Sequence, residues 1–333
     1  MEVNTTLRVP VTERSQVSAA RIRARDLARA AGFSEEDEYR AGLVVTELAT
    51  NLVKHAAEGG EILLRMIGSA DASELEVLAV DHGPGIGDIT RALQDGVSSG
   101  DSPGTGLGAI RRLSDTFDIH SSPAGTVTLA RMAARRRSPD SLPVILGAVS
   151  VPLNDEPVCG DLWSATPHRD GMTIIVVDGL GHGAGAHEAA RAVLAAADPM
   201  ADPHTALERM HRAVGHTRGA AAAIARLQPS ARAVVFAGIG NVSGLVSAGG
   251  SQRRMVSSNG TLGLQAQSVR EYTYQWPPDS VLVLFSDGLT SHWTLEGYPG
   301  LSQRHPSLIA AVLYRDHSRR RDDVTVVVAR AAA

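Results

Sequence analysis

Aspartates stand at the ends of strand-like runs at four places in the second half of the chain. The pairs that contain them are Gly160-Asp161, Asp178-Gly179, Asp287-Gly288 and Asp322-Asp323. Clustered carboxylates repel one another strongly unless a cation offsets their charge. The only cysteine is Cys159, which disfavours zinc, whereas oxygen ligands suit Mg²⁺ or Mn²⁺. Since a pair of such ions can share a bridging hydroxide for in-line attack on phosphorus, the pattern predicts a two-metal carboxylate site.

A second set of candidate residues, in the first half, combines one helix face with a glycine-containing loop. Glu47 and Asn51 lie four positions apart, so a helix places them on one face. The carboxylate can abstract a proton, and the amide oxygen can bind a hard cation such as Mg²⁺. Asp81 ends a strand-like run and can accept a hydrogen bond from an exocyclic amine. Gly83 and Gly85, which follow it, let the backbone approach a flat base closely.

A glycine-rich segment further along the chain completes this second set. It reads Gly104-Thr105-Gly106-Leu107-Gly108 and leads into a helical pattern at 109–114. A loop that feeds a helix N-terminus offers amide donors and the positive end of the helix dipole to phosphates. Each glycine stretch alone is weak evidence, because glycines most often form turns. The three elements in this order predict a nucleotide pocket.

The elements that must position these residues are predicted from periodicity and turn signals. In the first half we expect helices at 17–31 and from a capping box at Ser34 to about Ala56, and strands at 7–11, 61–67, 74–80, 118–122 and 126–132. In the second half we expect helices at 185–197 and 205–214, and strands at 144–151, 172–177, 220–226, 233–237, 281–285 and 324–329. Both halves are therefore predicted to be α+β.

Length and composition limit the class of protein. A chain of 333 residues favours two domains, and 43% hydrophobic with 20% charged residues excludes wholesale disorder. A formal net charge of −4 gives no global attraction to nucleic acid or to an anionic membrane, so neither partner is expected. We find no apolar run of membrane-spanning length and no signal-peptide core. The single cysteine fits a reducing compartment, and a cytoplasmic location is expected.

A basic segment separates the two halves. It spans residues 134–143 and contains three consecutive arginines and two prolines. Proline cannot continue a helix or a central strand, and strand-like runs lie on both sides of the segment. We therefore expect a first domain at 1–133, a linker at 134–143 and a second domain at 144–330.

With its three motifs in this order, the region 1–133 resembles a GHKL-superfamily ATPase with the Bergerat fold, an ATP-binding α/β sandwich. Within the superfamily it is most similar to the RsbT-like serine kinases of sigma-factor partner switching. The resemblance implies Glu47 as general base toward a protein serine or threonine, Asn51 as a ligand of Mg²⁺ and Asp81 as the adenine partner. The glycine-containing stretches are implied to bind ATP through Gly83, Gly85, Gly104, Thr105, Gly106, Leu107 and Gly108.

The region of about 142–330 resembles the metal-dependent PPM-type phosphatases of the SpoIIE/RsbX-like branch, whose fold is an αββα sandwich. All four aspartate-containing motifs match in order. The resemblance implies two Mn²⁺ or Mg²⁺ ions, with the catalytic Asp178 bridging them and the carbonyl of Gly179 on one of them. Asp161, Asp287 and Asp323 are implied to complete the ligand set.

Together the resemblances imply a bifunctional partner-switching regulator. Its phosphatase would act on phosphoserine or phosphothreonine of STAS-type proteins, either anti-anti-sigma factors or stressosome subunits, and its ATP-binding domain would phosphorylate a protein serine or threonine. The resemblances also allow a sigma-factor regulatory protein as a partner. Two alternatives stay open: a first domain that regulates the phosphatase without kinase turnover, and a non-enzymatic sequestering scaffold. A homodimer is left open as well.

Overall fold

The computed structural model describes residues 2–3, 6–69, 72–94, 106–134, 143–153, 156–266 and 268–332. The chain forms two compact units. The first comprises Thr6–Ser138, and the second comprises Met1–Thr5 together with Pro139–Ala333. Two units agree with the number of domains that the length favours.

The elements up to residue 134 follow the predicted order of strands and helices. They are β1 (Glu2–Val3), β2 (Leu7–Val11), α1 (Arg14–Ala30), α2 (Glu35–His55), β3 (Gly60–Ser69), β4 (Ala72–Asp81), α3 (Ile89–Ala92), α4 (Gly106–Leu113), β5 (Thr116–Ser122) and β6 (Gly125–Ala133). Helix α2 begins where Ser34 Oγ accepts the N–H of Asp37 at 3.1 Å. Acidic residues occupy its first turn and Lys54 and His55 its last, which complements the helix dipole.

The first unit is a two-layer α/β sandwich. Its antiparallel sheet has the order β2-β3-β4-β6-β5. Helices α1, α2 and α4 pack on the sheet, and the core joins Leu48 and Leu52 of α2 to Ile62 and Leu64 of β3. Because these leucines fix the rotation of α2, Glu47 and the other residues of its polar face turn away from the core.

The second unit contains twelve further strands and three helices among the described residues. They are β7 (Val144–Val151), β8 (Asp161–His168), β9 (Gly171–Gly179), α5 (Gly183–Ala195), α6 (Pro203–Ala213), β10 (Ala220–Gln228), β11 (Ala233–Ile239), β12 (Ser243–Ala248), β13 (Ser251–Arg254), β14 (Gly260–Thr261), β15 (Gln265–Ala266), β16 (Glu271–Gln275), β17 (Val281–Phe285), α7 (Pro306–His317) and β18 (Val324–Ala331).

Two antiparallel sheets pack face to face in this unit. One has the order β1-β8-β9-β10-β11-β16 and the other β13-β12-β17-β18-β7. Trp163, Val176 and Phe236 from the first sheet meet Leu284 and Val327 from the second in one core. Helices α5 and α6 cover the outer face of the first sheet, and α7 packs on β7 and β18 of the second. The layers are therefore α, β, β and α, as predicted.

The structure confirms the predicted elements and adds others. Strands β2, β7 and β17 have the expected bounds, and the remaining predicted strands and helices differ by a few residues at their ends. The elements that were not predicted are helices α3 and α7 and strands β1, β8, β12, β13, β14, β15 and β16.

The first strand departs from the expected domain limits. The first domain was expected at 1–133, a range that includes residues 2–3, but Glu2 pairs with Ala165 and Val3 with Ser164 of β8. Strand β1 therefore extends a sheet of the second unit.

No helix among the described residues is long and apolar enough to cross a bilayer.

Candidate functional site

Two of the predicted metal ligands face each other across neighbouring strands. Asp161 opens β8 and pairs with Asp178 near the end of β9. Directly opposed residues of antiparallel strands present their side chains on the same face, so the two carboxylates share one environment. Ser286 Oγ donates to Asp161 Oδ2 at 2.6 Å and accepts the N–H of Thr325 at 2.9 Å. This serine therefore fixes the orientation of Asp161 from the second sheet.

Burial and mutual repulsion make these carboxylates costly to ionise. Burial, with the nearby charge of Asp323, raises the pKa of Asp161 to about 8. Burial, with the charges of Asp161 and Asp287, raises the pKa of Asp178 to about 9. The pKa of Asp322 is also raised, first by burial and then by Asp287 and Asp323. A divalent cation would reverse this cost, because it favours the ionised form of every carboxylate around it.

The carboxylates open onto a cavity at the edge of the sandwich. Asp178, Asp287 and Asp322 line it together with Asn241, and its volume is about 340 Å³. Asn241 Nδ2 donates to Asp287 Oδ2 at 2.7 Å. Among the described residues, no group of three His, Cys, Asp or Glu side chains lies close enough together to hold a metal ion in this conformation. The donor chemistry fits a hard cation nonetheless, since the wall offers oxygen ligands whose repulsion an ion would relieve.

One predicted ligand does not line the cavity. Asp323 was expected to bind metal, but its Oδ1 accepts the N–H of Leu153 at 2.7 Å and its Oδ2 accepts that of Gly160 at 2.8 Å. Its side chain is 2% exposed, and the cavity wall carries the neighbouring Asp322 instead. Consecutive residues entering a strand point to opposite sides, which separates the two aspartates. Asp322, which the sequence analysis placed in the motif but did not choose as a ligand, therefore lines the cavity, as does Asn241, which that analysis did not include.

Two glycines of the predicted motifs are required by close packing. A Cβ at Gly160 would lie 2.7 Å from Asp323 Oδ2, and one at Gly179 would lie 2.1 Å from the carbonyl oxygen of Ala186. Helix α5 can therefore approach the end of β9 only because position 179 has no side chain. The role of the Gly179 carbonyl toward a metal stays a prediction.

In the first unit, the structure brings the predicted helix face and the start of α4 together. Glu47 and Asn51 lie on α2, and both are half-buried. A Cβ at Gly106, the first residue of α4, would lie 3.6 Å from Asn51 Oδ1 and 3.8 Å from Glu47 Oε2. The N-terminus of α4 therefore lies beside the carboxylate of Glu47 and the side-chain amide of Asn51.

Asp81 and its glycines form the second part of this site. Asp81 Oδ1 accepts the N–H groups of Gly83 at 2.7 Å and Thr126 at 3.1 Å. Gly85 has a φ of +79°, and a Cβ there would lie 2.3 Å from the carbonyl oxygen of Ser122. These contacts fix the loop after β4 on the β5–β6 hairpin and orient the Asp81 carboxylate.

The remaining predicted nucleotide-binding residues divide into two groups. Gly104 and Thr105 lie outside the described residues. Gly108 is buried in α4, and Leu107 packs against the core of the first unit, so the Leu107 side chain serves packing.

Comparisons with known proteins agree with this geometry. A model of the histidine kinase-like ATPase domain matches residues 9–132, and a model of stage II sporulation protein E (SpoIIE) matches residues 168–332. The chain is 34% identical over 105 residues to the serine/threonine-protein kinase RsbT of Bacillus subtilis (strain 168), covering 32% of this chain and 78% of RsbT. The chain is a fusion of an RsbT-like kinase domain and a SpoIIE-type phosphatase domain.

Further comparisons concern the SpoIIE-type domain. It is similar to the phosphoserine phosphatase RsbX of the same organism, at 27% identity over 135 residues, which cover 40% of this chain and 68% of RsbX. A structure described as "The bacterial stressosome: a modular system that has been adapted to control secondary messenger signaling" shares the fold. Its TM-score is 0.52 at 23% identity, covering 56% of this chain and 99% of that one.

The two domains therefore have defined general chemistries. The SpoIIE-type domain is a PPM-type serine/threonine phosphatase, a class that in general uses divalent metals. The RsbT-like domain is an ATP-binding domain of the GHKL type. The predicted fold class, a GHKL-type domain followed by a PPM-type domain, is confirmed.

Proposed function

We propose that the chain both removes phosphate from and adds phosphate to serine or threonine residues of STAS-type partners, as a two-way control of partner switching. The observation that carries the phosphatase half is the cavity lined by Asp178, Asp287 and Asp322, with Asp161 paired beside Asp178. The likeness to a serine/threonine kinase and to a phosphoserine phosphatase supports the combination of opposing activities in one chain.

For the phosphatase, the proposed ligands of two Mn²⁺ or Mg²⁺ ions are carboxylates on the cavity wall. Asp178, Asp161, Asp287 and Asp322 would hold the ions, and the carbonyl of Gly179 would contribute a further oxygen. When bound, the metals would supply a hydroxide at neutral pH and would offset charge on the phosphoryl oxygens. The chain itself holds the donors in place: Ser286 orients Asp161, and Asn241 orients Asp287.

Asp323 has a separate proposed role in this site. It ties the segments of Leu153 and Gly160 to the start of β18 through two backbone hydrogen bonds. The cavity wall depends on that tie, because Gly160 precedes Asp161 and Asp322 precedes Asp323.

For the kinase, the proposed roles follow from the half-buried polar face of α2. Glu47 takes the proton of the attacking serine or threonine hydroxyl, and Asn51 binds Mg²⁺ with the ATP phosphates. Asp81 accepts a hydrogen bond from the adenine amine, and the amides at the start of α4 receive phosphate. The closeness of Gly106 to both Glu47 and Asn51 supports this arrangement.

The partners and location are proposed from the same likeness. The substrates are STAS-domain anti-anti-sigma or stressosome proteins, with a sigma-factor regulator as a further partner, in the cytoplasm. The proposed domain limits are 6–133 for the kinase domain, 134–143 for the linker and 144–330 for the phosphatase domain, to which β1 adds an edge strand.

One experiment tests the phosphatase half. The full chain is incubated with a phosphorylated STAS protein and Mn²⁺, and phosphate release is compared for wild type, Asp178→Asn and Asp287→Asn. Asp170→Asn is the matched control, because Asp170 is exposed in the turn at the far end of the β8–β9 hairpin. We expect both cavity variants to lose release and the control to keep it. Near-normal release by either cavity variant would overturn the two-metal assignment.

A second experiment tests the kinase half. The full chain receives γ-labelled ATP and the unphosphorylated STAS protein, and label transfer is compared for wild type, Glu47→Gln and Glu36→Gln. Glu36 is an exposed residue of the same helix, so its variant controls for a charge change on α2. Transfer lost only in Glu47→Gln supports the kinase. ATP binding by wild type without transfer to any STAS partner would favour the regulatory alternative instead.

A further inference from the structure

A second cavity adjoins the proposed metal site. It is lined by Arg319 and Arg321, from the segment between α7 and β18, and by Asp287 and Asp322. Its volume is about 340 Å³. The same two aspartates also line the cavity that contains Asp178, so the two cavities share a wall. The arginines therefore lie to one side of the proposed reaction centre.

The segment that carries these arginines is fixed to the loop that carries Asp287. The N–H of Arg319 donates to the carbonyl oxygen of Gly288 at 2.8 Å, and Leu289 forms a β-bridge with Ser318. The N–H of Thr290 donates to the carbonyl oxygen of His317 at 2.9 Å. Because these bonds hold the backbone beside the aspartate, the arginine side chains start from defined positions at the cavity.

The two guanidinium groups are available to a ligand. Both residues are exposed, and neither guanidinium forms a hydrogen bond or ion pair with any residue that the structure describes. A guanidinium presents a planar fork of donors that matches a carboxylate or a phosphate. Once metals offset the carboxylates of the shared wall, two uncompensated positive charges remain at its outer side.

We propose that Arg319 and Arg321 form a subsite for an acidic side chain that flanks the phosphorylated residue of the substrate. The phosphatase domain then prefers phosphopeptides with a neighbouring aspartate or glutamate. This inference rests on the proposed phosphatase function, in which the metals hold the reacting phosphate. The placement of the arginines in the adjoining cavity assigns them to a different part of the substrate.

Arg320 provides an internal control. It belongs to the same basic run, and it is exposed but does not line the cavity. Its φ of +53° is left-handed, so asparagine is the substitution that removes the charge and still tolerates the backbone. A merely solvated basic run would make all three arginines equivalent.

The test compares two phosphoserine peptides that differ only in flanking glutamate or glutamine residues. With Mn²⁺ and the full chain, we expect kcat/KM for the acidic peptide to exceed that for the neutral one by about tenfold, as two charge-assisted contacts allow. The double variant Arg319→Gln/Arg321→Gln should reduce this ratio to about twofold or less, and Arg320→Asn should keep it.

Three results would overturn the inference. They are the absence of a preference in wild type, an equal fall for both peptides in the double variant, and a fall of the ratio in Arg320→Asn. An equal fall would mean that the arginines hold the reacting phosphate. Binding of labelled, non-hydrolysable phosphonate versions of the two peptides in Mn²⁺, followed by fluorescence anisotropy, decides the question without turnover. If wild type hydrolyses neither peptide but binds the acidic one more tightly through the two arginines, the proposed function fails and the subsite stands.

Discussion

Asp323→Ala should destabilise the phosphatase domain, whereas Asp322→Ala should chiefly weaken metal binding and turnover. Truncation of Asp323 leaves the N–H groups of Leu153 and Gly160 without their acceptors. An unsatisfied buried N–H costs about 1–3 kcal/mol. The Gly160 bond is buried and the Leu153 bond is partly buried, where water can replace part of it. We therefore expect a loss of about 2–4 kcal/mol, a large share of the ~5–15 kcal/mol that stabilises a typical domain.

Asp322→Ala should behave in the opposite way. Its carboxylate lines the cavity, and burial with neighbouring charges raises its pKa, so removing it relieves repulsion in the metal-free protein. We expect little change or a small gain in stability, with metal affinity reduced at least about tenfold.

Tryptophan fluorescence offers a selective assay for this comparison. All three tryptophans, Trp163, Trp276 and Trp293, belong to the phosphatase domain. Urea unfolding of the full chain in EDTA, followed by this signal, therefore reports on that domain alone, and Mn²⁺ titration of each folded variant measures affinity. If Asp323→Ala unfolds like wild type but loses metal binding, while Asp322→Ala unfolds early, our assignment of the two aspartates is reversed.

Three further outcomes concern the nucleotide site and the effect of pH. Asp81→Asn should weaken ATP binding about tenfold, while Glu47→Ala should keep the ATP affinity and lose phosphoryl transfer. Calorimetry measures the affinity and a labelled-ATP assay measures the transfer. Equal ATP affinity of Asp81→Asn and wild type would contradict this prediction. Gly85→Ala should destabilise the kinase domain by more than about 1–2 kcal/mol, since the left-handed φ of Gly85 and its contact with a backbone carbonyl both exclude a Cβ. Thermal unfolding followed by far-UV circular dichroism measures the loss of stability. Unchanged unfolding would refute the prediction. The metal-free phosphatase domain should lose stability as pH rises from about 4 toward 9. The reason is that the unfolded chain releases the protons of Asp161 and Asp178 near pH 3.8, while the folded domain holds them to about pH 8 and 9. The melting temperature in EDTA should therefore fall over this window, and a rise would contradict the assigned direction.

Elements with regular patterns were predictable from the sequence. Helix α2 starts at the predicted cap, Ser34, because a serine oxygen and an acidic first turn favour helix initiation whatever the tertiary context. Strand β17 is a short, wholly apolar run between turn signals, and its bounds were predicted correctly.

Elements without such patterns were missed. Ten of the twelve residues of α7, from Pro306 to Arg315, are buried, so its apolar residues show no stripe with the period of a helix. Strand β8 contains Pro167 and several polar residues, which argue against a strand until its place beside β9 is known.

The residue types and motifs of the candidate sites were predictable from the sequence. The directions in which the individual side chains point were not. Asp322 and Asp323 have the same chemistry and adjoining positions, and only the backbone entering β18 decides which one faces the cavity. The contact of Asn241 with Asp287 joins residues 46 positions apart, and a single sequence gives no signal for such a pair.

Strand β1 has a consequence for any attempt to study the phosphatase domain by itself. Glu2 and Val3 occupy the outer edge of β8, although more than 130 residues of kinase domain separate them from the rest of that sheet. A fragment that begins after the linker would therefore leave the backbone N–H and C=O groups of β8 that face β1 unpaired. Exposed edges of this kind recruit strands from other molecules. Self-association of such a fragment would then reflect the cut, and a short peptide with the sequence of β1 should suppress it.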